Sequence, residues 1–174
     1  MPKITWTPAF RLRPGRLVLL AIAVTLYALP FFSDSRLVAL LSLLAIVPVY
    51  AITLSGNVVS SILYGSVAGA ATFRIINAWL ATYHPSALTF VLGLEATRFG
   101  IVYGLMSFAA IRRSRFALPT AVFLWVSFET WRSTGFLAYP YGSLPYVWYT
   151  SKFMLMVRSE EHTSELQSPN TKSY

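Results

Sequence analysis

Glu95-x-x-Arg98 and Glu129-x-x-Arg132 set an acid three residues ahead of a base twice in this sequence, each time inside an otherwise apolar run. On a helix that spacing puts both side chains on one face, where they partly neutralise each other. Arg74 is a fifth ionisable residue in such a run. On insertion scales a charge at the bilayer midplane costs about 2.5–3.5 kcal/mol, so each of the five calls for a partner or a polar cavity. Arg74, Glu95, Arg98, Glu129 and Arg132 are therefore the candidate intramembrane polar network. Two roles fit the spacing equally: holding helices together, or lining a path that opens to one side of the membrane.

Other chemistry is sparse. The sequence has no cysteine, which removes thiol nucleophiles, thiolate metal sites and disulfides. His84 is one of two histidines, and the other, His162, is far along the chain, so no metal-ligand set is expected. His84 and Asp34 fall in different loops, with no Gly-x-Ser-x-Gly nearby to raise a serine nucleophile. The expectation is thus no catalytic residue, no metal and no cofactor within these residues.

The elements that position the five charges follow from composition. Of 174 residues 56% are apolar and only 11% charged, too few polar groups to coat a globule of this size. The net charge of +8 does not point to nucleic acid, because the basic residues lie between apolar runs rather than along one polar face. The fold class expected is all-α: a polytopic bundle of about five membrane-spanning helices. The first segment, about Leu17 to Phe32, follows Lys3, Arg11, Arg13 and Arg16 and closes at Ser33-Asp34-Ser35-Arg36. A signal peptide would share the basic start, but no small-x-small site follows and a new apolar run begins at once. The second, about Leu37 to Leu54, ends at Ser55-Gly56-Asn57. The third, about Val58 to Ala81, carries Gly65, Ala68, Gly69, Ala70 and Ala71, small residues that allow close helix approach in lipid. The fourth, about Ala87 to Ile111, ends in Arg112-Arg113-Ser114-Arg115. The fifth runs from about Phe116 to Leu137.

Beyond residue 157 the text changes to a polar stretch, Arg158-Ser-Glu-Glu-His-Thr-Ser-Glu-Leu-Gln-Ser-Pro169, without apolar period. It resembles translated sequencing-adaptor DNA, so residues 158–174 are expected to be a disordered, non-native tail and 1–157 the membrane domain. The tail holds two bases (Arg158, Lys172) and three acids (Glu160, Glu161, Glu165), leaving 12 basic residues against 3 acids in residues 1–157.

Placing the N-terminal arginines in the cytoplasm returns Arg112 to Arg115 to the same side after four crossings, as the positive-inside bias requires. The His84 loop and the residues after the fifth helix then face outward. By rise arithmetic at about 1.5 Å per residue, the five charges fall in the outer half of their helices. Trp79, Tyr83, Trp131, Tyr139, Tyr141, Tyr146, Trp148 and Tyr149 gather near the outer boundary as an aromatic belt.

One stretch is more specific. From Trp125 the chain reads Trp-x-x-x-Glu129-x-x-Arg132-Ser-Thr-Gly135-Phe136-Leu-Ala-Tyr139-Pro140-Tyr141-Gly142-Ser-Leu-Pro145-Tyr146. This resembles the membrane domain of bacterial apolipoprotein N-acyltransferase, in which Glu-x-x-Arg is followed by Gly-Phe, then Pro-Trp-Gly, then Leu-Gly-Tyr. Tyr141 stands where the family has Trp, and Pro145 where it has Gly. A second patch, Asn77-Ala-Trp79-Leu-Ala-Thr-Tyr83-His84-Pro85-Ser-Ala87-Leu88, is similar to that family's third-helix exit. The resemblance covers about residues 15 to 150.

That resemblance implies a multi-pass protein of the bacterial inner membrane. It also implies transfer of an acyl chain from phospholipid to the N-terminal cysteine amine of a lipoprotein, through a thioester on a catalytic cysteine assisted by glutamate and lysine in a nitrilase-like domain. A thiolate suits such a relay as both nucleophile and leaving group. These 174 residues contain no cysteine, so the polypeptide by itself is expected to be an inactive fragment. The competing expectations are a non-enzymatic membrane module and part of a transporter, the latter calling for a longer internal repeat than Glu-x-x-Arg.

Overall fold

A computed structural model describes residues 14–33, 35–54, 57–112 and 116–134, together with residues 138, 142 and 144. Among these, all regular structure is helical. Four helices are long and apolar enough to cross a membrane: Pro14–Phe32, Leu37–Leu54, Val58–Ile76 and Pro85–Ile111. The fifth expected span is the helix Ala117–Ser133, 17 residues long. That is about 25 Å at the helical rise, somewhat short of a bilayer core of about 30 Å.

Proline and hydroxyl residues shape the first hairpin. Helix α1, Pro14–Ala28, passes into a 3₁₀ turn, Leu29–Phe32, at Pro30, whose missing N–H cannot continue the α ladder. The second span is broken. Helix α2 (Arg36–Leu41) leads through a 3₁₀ segment, Ser42–Ala45, into α3 (Ile46–Leu54). Pro48 cannot donate to the carbonyl of residue 44, and the tighter 3₁₀ winding lies where that bond is lost. Inside this span Ser42 and Thr53 donate to the carbonyls of Ala39 and Tyr50 at 2.6 and 2.8 Å, so neither hydroxyl is stranded in an apolar setting.

Helix α4, Val58–Ile76, starts at Asn57, whose side chain accepts from the Val59 N–H at 3.0 Å, a standard N-cap. After the short α5 (Leu80–Tyr83) comes α6, Pro85–Ile111, with Pro85 in its first turn, where an absent N–H costs nothing. The last described helix is α7, Ala117–Ser133.

The antiparallel pair α4 and α6 forms the spine of the bundle. A Cβ added at Gly65 would lie 2.5 Å from the Phe99 carbonyl and 2.8 Å from Tyr103 Cβ. One at Gly69 would lie 2.6 Å from the Glu95 carbonyl. From the other side, Gly100 and Gly104 leave no such room against Ser66 and Ile62. Two Gly-x-x-x-Gly motifs face each other, and only glycine permits this backbone approach in lipid, where packing rather than water drives association. At the opposite ends of these motifs from the charges, Arg16 of α1 donates to Ser60 of α4 at 3.1 Å and lies 5.7 Å from the Tyr64 ring. The starts of α1 and α4 are thereby joined at one membrane face.

Candidate functional site

Glu95, Arg98, Glu129 and Arg132 come together at the other end of the bundle. Glu95 sits in the third turn of α6, and Arg98 one turn further donates to its Oε1 at 2.8 Å. Glu129 and Arg132 lie in the last turns of α7 with a looser internal contact of 3.3 Å. A shorter contact runs between helices: Arg132 Nε lies 2.9 Å from Glu95 Oε2. It is a close charge contact rather than an aligned hydrogen bond, since neither atom meets the angular requirement for one. Two carboxylates and two guanidinium groups make a cluster of balanced charge, as burial demands.

At its centre stands Tyr27 of α1, a residue the motif reading passes over. Its hydroxyl accepts from Arg132 Nη1 at 2.6 Å and donates to Glu129 Oε1 at 2.7 Å. The Gly142 carbonyl is 3.1 Å away, but a hydroxyl has one hydrogen, and the carboxylate takes it at the shorter distance. Arg132 Nη2 serves Gly142 instead, at 3.2 Å. Finally the Leu144 N–H donates to Glu129 Oε2 at 3.2 Å.

Aromatic rings close the cluster off. The Arg132 guanidinium carbon lies 4.7, 5.4 and 5.7 Å from the rings of Phe73, Phe128 and Phe99, and that of Arg98 lies 5.3 Å from Trp131. Ring faces offer a desolvated cation a partial substitute for water. Arg132 and Glu95 are both 0% exposed, so their polar atoms face protein rather than lipid or solvent. A cleft of about 10 Å³, no larger than one water, lies toward the middle of the bundle, lined by Tyr27, Thr72 and Tyr103 among apolar side chains, with no Glu or Arg among the described residues of its wall.

Arg74 does not join. It is exposed in the last turn of α4, where a cation complements the negative end of the helix dipole. Of the five residues expected in the network, the structure brings four together around Tyr27 and leaves Arg74 apart from them. The reason is phase: Arg74 follows the buried Phe73, and the next residue along a helix points about 100° away from its neighbour.

The family-motif positions divide. His84 is the exposed N-cap of α6, with Nδ1 2.7 Å from Ser86 Oγ, and Pro85 opens that helix. Trp79 and Tyr83 are exposed, their rings 6.1 Å apart across α5. Gly142 has φ +83°, and a Cβ there would meet Phe73 Cε1 at 2.7 Å, so this position requires glycine on both counts. Gly135, Phe136, Pro140, Tyr141 and Tyr146 lie outside the described residues, as does the expected tail.

The family model described as the apolipoprotein N-acyltransferase N-terminal domain matches residues 21–158. The chain is similar to apolipoprotein N-acyltransferase 1 of Treponema denticola, 23% identical over 145 residues, which are 82% of this chain and 27% of that protein. It is also similar to apolipoprotein N-acyltransferase 1 of Treponema pallidum, 28% identical over 138 residues, 78% of this chain and 25% of that protein. The chain thus spans about a quarter of the length of the relatives it matches. No solved structure matches it. With a spanning-helix bundle, a Glu-x-x-Arg helix running into a buried Gly142, and a family match over most of its length, this chain belongs to the apolipoprotein N-acyltransferase N-terminal domain family.

Proposed function

We propose that this chain is the membrane part of an apolipoprotein N-acyltransferase of the bacterial inner membrane, acting in lipoprotein biosynthesis. In this reading its helices hold a catalytic domain at the outer membrane face and give it access to phospholipid, the acyl donor. The acceptor is the N-terminal cysteine amine of a lipoprotein. The family match over residues 21–158 carries the proposal. The acyl relay itself needs a thiolate, and the sequence holds no cysteine, so the bundle contributes placement and lipid access rather than bond making.

The test is to read the source DNA past the codon for Val157. An open frame encoding a nitrilase-like domain with Glu, Lys and Cys is expected, and the joined protein should acylate a diacylated lipopeptide from phospholipid in vesicles. A native frame that continues without such a domain would overturn the assignment.

A further inference from the structure

The charged cluster makes contacts that two helices held by salt bridges would not require. Two of its hydrogen bonds go to backbone atoms well past the end of α7: the Gly142 carbonyl, accepting from Arg132, and the Leu144 N–H, donating to Glu129. The Leu144 side chain is itself buried at 6% exposure. Gly142, with its positive φ, lies against Phe73 and Ile76 of α4 where a Cβ would not fit. The backbone at Gly142 and Leu144 is therefore held by α1, α4 and α7 together.

Non-helical backbone is tolerated at membrane depth only where protein satisfies its polar groups. Here the carbonyl of Gly142, in a turn, and the N–H of Leu144 find partners in the side chains of Arg132 and Glu129. Those side chains are in turn oriented by Tyr27, and Arg132 also by Glu95. A simple helix-pairing role would be met by the Glu95–Arg132 bridge alone. Tyr27 and the two backbone contacts then have no place in it.

We propose that Tyr27, Glu129 and Arg132 form a latch that captures the backbone at Gly142 and Leu144 and so anchors these two positions against α1, α4 and α7. Tyr27 is a positioning residue: it touches Glu129 and Arg132 and, through them, orders the backbone at Gly142 and Leu144. The proposal goes beyond the acyl-transfer reading and does not depend on it.

The absence of cysteine makes the test direct. A nitroxide label is attached to the purified full chain in nanodiscs at Ala138→Cys, an exposed position four residues before Gly142 in the sequence. A second preparation carries it at Ser86→Cys, exposed at the start of α6. Tyr27→Phe keeps the ring and removes the hydroxyl. The expected result is at least a twofold rise in the mobile spectral component at 138 with no change at 86. Gly142→Ala, which strikes the latch from the segment side, should give the same pattern. Unchanged spectra at 138 in both variants, or equal loosening at 138 and 86, would overturn the latch. Neither result bears on whether the source DNA encodes a catalytic domain.

Discussion

Arg132 Nε lies 2.9 Å from Glu95 Oε2, and this contact between α7 and α6 joins two intrahelical acid–base pairs into one buried cluster. Removing a single member of a buried pair strands the partner's charge, which typically costs about 3–5 kcal/mol, whereas removing both members can be nearly neutral.

Arg132→Ala should therefore lower stability in detergent by about 3–5 kcal/mol, since it leaves Glu95 and Glu129 buried with Arg98 as the remaining cation nearby. Glu95→Ala combined with Arg132→Ala should be milder than the two losses added. Equilibrium unfolding of both singles and the double measures the coupling. Strictly additive losses would refute the bridge.

At the α4–α6 contact, Gly69→Leu should separate the helices, because even its Cβ would lie 2.6 Å from the Glu95 carbonyl. Overpacking of this kind costs about 1–3 kcal/mol or more. Gly93→Ala, with nothing within 4 Å of the new methyl, should leave stability unchanged or raise it by up to about 1 kcal/mol. Thermal unfolding of the two variants side by side tests the contrast. Equal behaviour would contradict the interface.

Arg74 and Arg98 are predicted to part company despite their similar sequence setting. Arg74→Ala, at an exposed residue, should shift stability by no more than about 0.5 kcal/mol. Arg98→Ala removes a buried 2.8 Å contact to Glu95 and should cost on the order of 2 kcal/mol, moderated because Arg132 still faces that carboxylate. A larger loss for Arg74 in the same unfolding assay would restore it to the network.

Topology is open to the same cysteine-free background. Gly15→Cys, exposed with free space around it, lies at the cytoplasmic end under the positive-inside assignment. Ser86→Cys lies at the outer end. In intact spheroplasts a membrane-impermeant maleimide should label Ser86→Cys at once and Gly15→Cys only after lysis. The reverse order would invert the bundle.

Much of this architecture was legible without coordinates, for physical reasons. The cost of exposing peptide groups to lipid forces each long apolar run to be a helix, so the runs expected at about Val58 to Ala81 and Ala87 to Ile111 are the helices Val58–Ile76 and Pro85–Ile111, the first ending five residues earlier, at the Asn77–Trp79 turn. The cost of a buried charge likewise marked Glu95, Arg98, Glu129 and Arg132 as needing partners. Gly100-x-x-x-Gly104, opposite the small residues of α4, carries a signal of the same kind.

Which partner each charge takes is a matter of helix phase and crossing, and these are settled only when all faces pack at once. The spacing of three suggested that Glu129 and Arg132 serve each other, yet Arg132 lies closer to Glu95 across the helix boundary. Tyr27 is one polar atom in an apolar span more than 100 residues from its partners, and no local pattern links them. Arg74 satisfied the same sequence criterion as the others and was turned outward by a single step of helical phase. From its sequence alone, this protein is a membrane helix bundle with buried charges. Tertiary packing decided that those charges converge on Tyr27 and on the backbone of Gly142, because only the assembled bundle brings those atoms within hydrogen-bonding distance.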